Sequence, residues 1–434
     1  MIAFLFSKTP LVYFIQPIWR DEAFSYLLAK KSLWEIIFLT AKDFNPPLYY
    51  LTLHYWIKIF GSSEITLRSL SLIFYWGTLY ITFLFLINTF KLSLKKSSLY
   101  LLFFVINPLL SYYAFEARMY TMFPFFASLS FYAFWQKNKK LYFWSTLLGL
   151  FTHYFMIFVI FAHVLINFFS PKNYLPFKKI LIPPLVFTPW LIFVFFIKKS
   201  SLLSSFWIQP FLIKNLIQVL PIIYTGYEFG FKFLKNEFQY FFWFFLFFLI
   251  YIILLIIVGK NKKKKSLITF FAVWGILTPF IVATISLFKP IFLPRYLIFA
   301  NIGLILLIIL TLEKLPSVIK VFVLIFILLQ TLHYQQAQIA KRKKTDFRQI
   351  IKEIKLFAKK DDLVYVTDIL NYFPLAYYFD EKRVFIYQKS YNEIPQYVGK
   401  ILIEEEKIVF RLPIYPKKAF IIEDSKNYQI QSSL

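Results

Sequence analysis

The sequence lacks cysteine and is poor in histidine, glycine and acidic residues, with 4 His, 9 Gly and 22 Asp plus Glu among 434 residues. The absence of cysteine excludes a disulfide framework, a thiolate nucleophile and a thiolate metal site. No two histidines have the spacing of metal ligands, so the sequence predicts no metal centre. A divalent cation held by carboxylates alone stays open as a cofactor.

Apolar residues dominate instead: hydrophobic side chains make up 59% of the chain and aromatic side chains 23%. The apolar runs reach about 20 residues, the length that a helix needs to cross a bilayer. The net charge of +27 comes largely from lysines grouped between these runs, as in the cytoplasmic loops of membrane proteins. No module that reads nucleic acid is present. The sequence therefore predicts a mainly α-helical, polytopic membrane protein whose partners are lipids and not nucleic acids.

Lysine-rich breaks divide the apolar runs into about eleven predicted transmembrane helices. The first run lacks the basic start and cleavage site of a signal peptide and is interpreted as a short span. The run 141–169 is interpreted as two short helices that meet at Thr152 and His153 rather than one tilted helix. The predicted spans are residues 3–18, 65–90, 98–112, 119–135, 141–152, 155–169, 180–197, 238–258, 267–288, 296–312 and 317–334.

The basic clusters predict the orientation, because the positive-inside rule assigns them to the cytoplasmic side. Loop 20–64, segment 198–238 and the C-terminal region then lie outside the cytoplasmic membrane. The basic clusters are Lys91, Lys95 and Lys96; Lys137, Lys139 and Lys140; Lys172, Lys178 and Lys179; Lys260 with Lys262–Lys265; and Lys314 with Lys320.

Acidic residues before residue 335 fall at predicted outer ends, with the exception of Glu313. Charges near a membrane are costly, so this asymmetry favours a functional site that faces outward. The alternative is that these side chains merely solvate the outer loops. The outer acidic residues are Asp21, Glu22, Glu35, Asp43, Glu64, Glu116, Glu228 and Glu237.

Two clusters in the first outer loop contain carboxylates that are candidates for chemistry. Asp21 and Glu22 follow the first span and precede an amphipathic stretch, 23–40, suited to the membrane interface. Asp43 and Asn45 precede two prolines, which stop a helix and stiffen the turn. The alternative for Asp43 is an ordinary turn or cap residue.

Candidate cations lie at other outer ends. Glu116 and Arg118 are too close in sequence to share a helix face, so they form either a structural ion pair or separate contacts, with Arg118 suited to phosphate. His153 is either a packing residue or part of the site. Lys289 and Arg295 either snorkel to the interface or clamp the phosphate of a lipid-linked substrate.

In chain order, these motifs resemble those of a known family. The series is Arg20-Asp21-Glu22, Asp43-Phe44-Asn45-Pro46-Pro47-Leu48-Tyr49-Tyr50, Phe60-Gly61-Ser62-Ser63-Glu64 with Arg68, Glu116-Ala117-Arg118-Met119-Tyr120, Thr152-His153-Tyr154 and Arg295-Tyr296. It is similar to the bacterial membrane glycosyltransferases of the GT-C fold, which are related to protein O-mannosyltransferases and to the lipid A aminoarabinose transferase.

The resemblance implies an inverting transfer of a hexosyl or pentosyl group from a polyprenyl-phosphate sugar at the outer membrane face. The acceptor would be lipid A or another glycolipid, a polysaccharide or a protein. Asp21 matches the catalytic base, Glu22 its supporting neighbour and Asp43 a second carboxylate. The implied donor-phosphate ligands are Arg118, Arg295 and Lys289. The implied substrate-binding residues are Asn45, Tyr49, Glu116, Tyr120, His153 and Tyr296.

This sequence departs from the family pattern in three places. The frequent histidine before the prolines is Asn45, the first span is short, and segment 198–238 does not map onto donor or acceptor contacts.

Composition changes near Gln335, which predicts a transmembrane catalytic domain over 1–334 and a soluble, extracytoplasmic α/β domain over 335–434. Thr345 and Asp346 are suited to cap a helix whose apolar residues recur at helical spacing. Strands are predicted at 363–366, 384–387, 408–411 and 419–422. No phosphate loop or nucleophile elbow is present, so this domain is expected to bind the acceptor or cap the site.

Two rival functions remain. A lipid or solute transporter or flippase also carries charges among many spans, but such proteins tend to place them near the midplane and to contain repeats. A scaffold that has lost activity would not need Asp21, Asp43 and Glu116 together.

Overall fold

The computed structural model describes residues 2–170, 174–198, 208–227, 237–259 and 265–434. The α-helices are α1 (Ile2–Lys8), α2 (Val12–Ile15), α3 (Arg20–Lys30), α4 (Leu33–Lys42), α5 (Leu48–Phe60), α6 (Glu64–Leu84), α7 (Leu94–Val105), α8 (Pro108–Tyr113), α9 (Met122–Trp135), α10 (Lys139–Thr152), α11 (Met156–Phe169), α12 (Phe177–Ile197), α13 (Val219–Thr225), α14 (Glu237–Gly259), α15 (Lys265–Ala272), α16 (Thr278–Ser286), α17 (Ile298–Leu312), α18 (Ser317–Lys341), α19 (Arg348–Phe357) and α20 (Tyr372–Tyr378). The strands are β1 (Leu363–Val366), β2 (Val384–Tyr387), β3 (Ile408–Val409), β4 (Ala419–Ile422) and β5 (Tyr428–Gln431).

In the described part of the chain, five helical segments are long and apolar enough to cross a membrane. Three shorter apolar helical segments accompany them. The chain is therefore a mainly helical, polytopic membrane protein with a small C-terminal sheet. The long segments are Glu64–Thr89, Phe177–Ile197, Lys265–Ser286, Pro294–Leu312 and Ser317–Lys341, and the shorter ones are Met122–Trp135, Met156–Phe169 and Phe242–Ile257.

The chain divides into two compact units. The first unit comprises Met1–Val12, Ser71–Ile192 and Trp207–Arg342, and the second comprises Tyr13–Leu70, Phe193–Phe206 and Lys343–Leu434.

Helix α17 forms the core of the first unit, because every one of its residues is buried. Trp274 stacks on Phe131 with ring centroids 3.9 Å apart, and its indole N–H donates to the carbonyl oxygen of Phe299 in α17 at 2.8 Å. A Cβ atom at Gly275 would lie 2.3 Å from the backbone nitrogen of Leu304. The close approach of these two segments therefore requires glycine at this position.

Three of the predicted spans differ from the structure. The predicted span 98–112 is divided into α7 and α8, because Pro108 lacks an N–H and disfavours a helical residue before it. The predicted first span, 3–18, is broken into α1 and α2, because Pro10 lacks an N–H and disfavours a helical residue before it. The last predicted span, 317–334, continues to Lys341 in α18, so the predicted domain boundary lies within a helix. The helix continues because its polar residues have buried partners: Gln335 donates to the hydroxyl of Ser111 at 2.9 Å.

The prediction of two helices within 141–169 is confirmed, since α10 ends at Thr152 and α11 begins at Met156. His153 is the C-cap of α10 and has an extended backbone, with φ −156° and ψ 133°. The break therefore places an imidazole in a turn between the two helices.

The second unit contains a five-stranded mixed sheet of order β3-β2-β1-β4-β5, in which only the β4–β5 pair is antiparallel. The predicted β1, β2 and β4 have the observed bounds, whereas β3 ends at Val409 and β5 was missed. Two of the four residues of β5 are glutamines and none of the four is buried, so the strand lacks the apolar run used for the prediction. The N-cap of α19 is Phe347 and not Thr345 or Asp346, although the carboxylate of Asp346 accepts the N–H of Arg348, the first residue of the helix, at 3.0 Å.

Candidate active site

In the second unit, Asp21 and Glu22 occupy the first turn of α3, where the helix dipole favours negative charge. The backbone N–H of Trp19 donates to the Glu22 carboxylate at 2.8 Å and fixes the start of the helix. The Asp21 side chain is 21% exposed and lies 3.2 Å from the Nε atom of Arg20. The two neighbouring carboxylates therefore have different environments, with Asp21 partly accessible and Glu22 buried.

Glu22 is held by two cations. Arg68 donates from Nε and Nη2 to the two carboxylate oxygens, each at 2.8 Å, and Lys344 donates from Nζ at 2.8 Å. Burial raises the pKa of Glu22, but the charges and hydrogen bonds of Arg68 and Lys344 outweigh it and hold this pKa below its ordinary range. The carboxylate of Glu22 is thus an anchor.

Arg68 also fixes the segment that leads to Asp21. Its terminal nitrogens donate to the carbonyl oxygens of Phe14, Gln16 and Pro17 at 3.0, 2.6 and 2.9 Å. Sequence reasoning placed Arg68 in the motif series but gave it no role, and it missed Lys344. The latter belongs to a run of basic residues, 341–344, which by itself indicates only a solvated segment.

Asp43, the remaining candidate carboxylate of the first loop, is the C-cap of α4 and only 6% exposed. The ammonium group of Lys198 donates to the backbone carbonyl oxygen of Asp43 and lies 5.2 Å from the ring centroid of Phe44. Burial lowers the pKa of Lys198, and the charge of Asp43 opposes this shift. Asn45 is half-buried in the following turn, and Tyr49 is fully buried in α5.

Glu64 links the first-loop segment to the C-terminal residues of the same unit. The hydroxyl of Tyr378 donates to one carboxylate oxygen of Glu64, and Arg348 lies 3.3 Å from the other. The same hydroxyl accepts the backbone N–H of Ile18 at 2.7 Å. The C-terminal residues of this unit thus hold the segment just before Asp21.

In the first unit, residues from three separate segments form a cationic cluster, which consists of Glu116, Arg118, Tyr120, His153, Arg295 and Tyr296. The guanidinium carbons of Arg118 and Arg295 lie 5.8 and 5.7 Å from the ring centroid of Tyr120. Glu116, Arg118 and Tyr120 are 4%, 7% and 3% exposed. Tertiary folding therefore brings two guanidinium groups together in a largely buried site.

The turn that carries Arg118 is stabilised locally. Its backbone N–H donates to the carbonyl oxygen of Glu116 at 2.7 Å, and its own carbonyl oxygen accepts the hydroxyl of Ser71 at 3.3 Å. This hydrogen bond joins the turn to α6.

His153 adjoins the same aromatic rings. Its imidazole stacks on Phe123 with centroids 4.9 Å apart and planes 19° apart, and lies 5.0 Å from the ring of Tyr296. Burial lowers the pKa of His153 to about 3, assisted by the positive charges of Arg118 and Arg295. The imidazole is therefore neutral at physiological pH.

Lys289 is exposed, and no contact among the described residues joins it to the cationic cluster. Among the described residues, no group of three His, Asp or Glu side chains is suited to hold a metal ion. Some predictions fall outside the described residues or side chains, namely those for Lys172, Glu228, Glu237, Lys260, Lys262, Lys263 and Lys264.

A cavity of about 590 Å³ is lined by Pro294, the residue that precedes Arg295. Pro294 lines it together with Lys214, Asn215 and Gln218, which supply polar groups, and with apolar side chains such as Phe211. The cavity belongs entirely to the first unit.

The chain is a mainly helical, polytopic membrane protein with a small mixed sheet, and its fold is like that of ArnT, as the motif resemblance implied. It is similar to apo ArnT from Cupriavidus metallidurans, with a TM-score of 0.64 over 97% of this chain and 93% of that chain at 11% identity. ArnT from the same organism bound to undecaprenyl phosphate gives a TM-score of 0.61 with the same coverage and identity. No family model and no curated protein matches the sequence.

Proposed function

We propose that the protein is an inverting glycosyltransferase that moves a hexosyl or pentosyl group from a polyprenyl-phosphate donor to an acceptor hydroxyl. The observation that carries this proposal is the convergence of Arg118 and Arg295 on the ring of Tyr120. Two guanidinium groups in one largely buried site suit an anionic ligand. A phosphate group matches the planar forks of both arginines.

The ligand bound in the similar fold supports the same donor class. One of the two ArnT structures contains undecaprenyl phosphate, a polyprenyl phosphate. At 11% identity this likeness shows the fold alone, so a polyprenyl phosphate as the ligand of this chain is part of our proposal.

In the proposed reaction, Asp21 activates the acceptor hydroxyl. The acceptor oxygen attacks the anomeric carbon, the bond from that carbon to the phosphate oxygen breaks, and its electron pair leaves with the lipid phosphate. The Asp21 carboxylate takes the hydroxyl proton as general base. Glu22 holds Asp21 in place, and Asp43, with Asn45 and Tyr49, orients the acceptor or stabilises positive charge on the sugar ring.

The cationic cluster is assigned to the leaving group. Arg118 and Arg295 balance the charge that develops on the departing phosphate, with Tyr120 and Tyr296 as the walls of the site. The cavity at Pro294 is assigned to the donor sugar, because the side-chain amides of Asn215 and Gln218 are suited to bind its hydroxyl groups.

We also propose about eleven spans in the cytoplasmic membrane, with the reaction and the C-terminal domain on the outer side. Two of the predicted cytoplasmic clusters converge in the first unit: Lys96 and Lys320 lie 3.3 and 3.0 Å from the carboxylate oxygens of Glu313. This contact supports the assignment of these two clusters to one side. Lipid A or another glycolipid, a polysaccharide or a protein would be the acceptor at the outer face.

The test is transfer of radiolabelled sugar from a panel of synthetic polyprenyl-phosphate sugars by the purified full-length protein. We expect Asp21→Asn to lower transfer by roughly 10²–10⁴-fold, the usual contribution of a general base, while donor binding persists. Full activity of this variant would exclude Asp21 as the base. A chelator added in parallel would identify a metal requirement.

The same experiment discriminates between functions. Donor binding without transfer would indicate that the correct acceptor is missing from the assay. If the protein showed neither donor binding nor transfer, the transferase proposal would be contradicted. The transporter alternative would then be examined with a vesicle assay for lipid translocation.

A further inference from the structure

The hydrogen bond at one nitrogen of His153 defines the state of the other. The backbone N–H of Phe155 donates to Nδ1 of His153 at 3.1 Å, so Nδ1 is an acceptor and carries no proton. A neutral imidazole holds its single proton on one nitrogen, which in this tautomer is Nε2. His153 therefore presents a fixed N–H group.

This N–H group is buried without a hydrogen-bond partner among the described residues. The side chain as a whole is 4% exposed. A buried donor without an acceptor is costly, and such groups are uncommon in folded proteins outside functional sites. An acceptor supplied by a ligand would remove this cost.

The surroundings of the ring specify the chemistry of that ligand. Phe123 covers one face of the imidazole, and Tyr120 lies 6.4 Å from it, centroid to centroid. The same Tyr120 ring lies within 5.8 Å of the guanidinium carbons of both Arg118 and Arg295. The described site therefore combines two cations with one neutral donor, a set that fits the several acceptor oxygens of a phosphate.

We propose that His153 donates its Nε2 hydrogen to a phosphate oxygen of a polyprenyl phosphate and so acts as a binding residue rather than as an acid or base. The inference rests on the proposed function, which supplies the phosphate. The burial and the arginine charges that keep the pKa of this imidazole near 3 also keep the donor neutral at physiological pH. The two arginines supply the charge, and His153 fixes the orientation of the phosphate between them.

His163 provides a matched control within the same unit. It is fully buried, its Nδ1 lies 3.3 Å from the hydroxyl of Tyr142, and its Nε2 also lacks a partner among the described residues. Its neighbours are aromatic, with Phe131 and Phe134 at centroid distances of 4.4 and 4.5 Å. If a buried Nε2 atom without a partner only reflected packing, substitutions of His153 and His163 would have similar effects on the affinity for undecaprenyl phosphate.

The experiment measures the affinity of the purified full-length protein for undecaprenyl phosphate in detergent, with undecaprenol and inorganic phosphate as comparison ligands. We expect His153→Phe to weaken binding of undecaprenyl phosphate by roughly tenfold or more, as for loss of a hydrogen bond to a charged group. His153→Gln, whose amide donates from a similar position, should restore part of the affinity. His163→Phe should leave the affinity unchanged.

Unchanged affinity in His153→Phe, with weak binding in Arg295→Ala, would overturn this inference and leave the proposed function intact. Unchanged affinity in both would overturn both. Equal binding of inorganic phosphate would overturn the assignment to a lipid phosphate.

A second measurement covers the case in which His153→Phe does not fold. The wild-type protein contains only 4 histidines, so its imidazole nitrogens can be followed by ¹⁵N NMR. Undecaprenyl phosphate should shift the Nε2 resonance of His153, whereas undecaprenol should not. No shift at a saturating concentration of undecaprenyl phosphate would overturn the inference.

Discussion

Arg68 and Glu22 form a two-point ion pair in which both side chains are completely buried. Glu22 lies on α3, the helix that carries Asp21, and Arg68 also donates to backbone carbonyl groups of the residues that precede this helix. Lys344 of the C-terminal domain adds a second cation to the same carboxylate at 2.8 Å. The position of the proposed base is therefore held by residues from three distant parts of the chain.

Glu22→Gln should destabilise the protein by about 3–5 kcal/mol, because it leaves the buried charges of Arg68 and Lys344 without their counter-charge. Thermal unfolding of the detergent-solubilised protein would measure this loss. The exposed Glu406→Gln serves as the control and should unfold at the wild-type temperature. A wild-type transition for Glu22→Gln would contradict the anchoring role.

The difference in stability between the wild-type protein and Glu22→Gln should depend on pH. The folded-state pKa of Glu22 lies below its ordinary range, so its contribution to stability is complete above the unfolded value of about 4.3. It is lost progressively as the pH falls from there through the folded-state pKa. The unfolding temperatures of wild type and Glu22→Gln should therefore converge on acidification below about pH 4, and a constant difference would be the opposite result.

His153 should remain neutral across the physiological pH range, because burial and the two arginines lower its pKa to about 3. Because the folded state disfavours the imidazolium, the free energy of unfolding should fall as the pH drops from the unfolded pKa of about 6.5 toward 3. An ¹⁵N NMR titration of the imidazoles, assigned with His153→Gln, should show no protonation of His153 between pH 5 and pH 8, in roughly the window where an unperturbed histidine titrates. A midpoint near the ordinary value would contradict the burial.

Tyr378→Phe should cost about 1–3 kcal/mol of stability, because it removes an acceptor from the N–H of Ile18 and a donor from Glu64. Thermal unfolding measures this change, with the exposed Tyr397→Phe as the control. Transfer activity should fall with Tyr378→Phe, since the affected segment leads to Asp21. Equal stability of the two variants would show that this contact does not hold the segment.

Gly275→Ala should destabilise the first unit by about 3 kcal/mol, because the added methyl would overlap the backbone of Leu304. Gly259→Ala is the matched substitution, since a Cβ there would meet no described atom within 4 Å. We expect the latter to unfold at or slightly above the wild-type temperature. Similar behaviour of the two variants would contradict the close approach of these helices.

Local pattern predicted much of the fold. Lengths of apolar runs identified membrane helices, and short apolar runs in the C-terminal region gave β1, β2 and β4 with their observed bounds. Pattern failed where local composition and tertiary partners disagree. Helix α18 passes through the polar residues near its end because Gln335 and Gln338 are buried and hydrogen-bonded, whereas a hydropathy pattern interprets these residues as the end of a span.

The candidate site was predicted unevenly for the same reason. Asp21, Asp43, Arg118 and Arg295 were singled out because charges next to apolar runs are conspicuous. The roles of Lys344 and Lys198 were not predicted, because each looks like an ordinary surface lysine until its partner is known. Lys289 has the sequence features of a phosphate ligand, yet the structure leaves it exposed.

The sequence by itself determined that this chain is a membrane protein, where its long helices lie and which charged residues accompany them, because these properties follow from the composition of short segments. Only the tertiary structure decided that Glu22 is an anchor and that Arg118 and Arg295 share one aromatic ring. It also decided that His153 presents a buried N–H. Those properties depend on contacts between segments far apart in the chain, which no local pattern specifies.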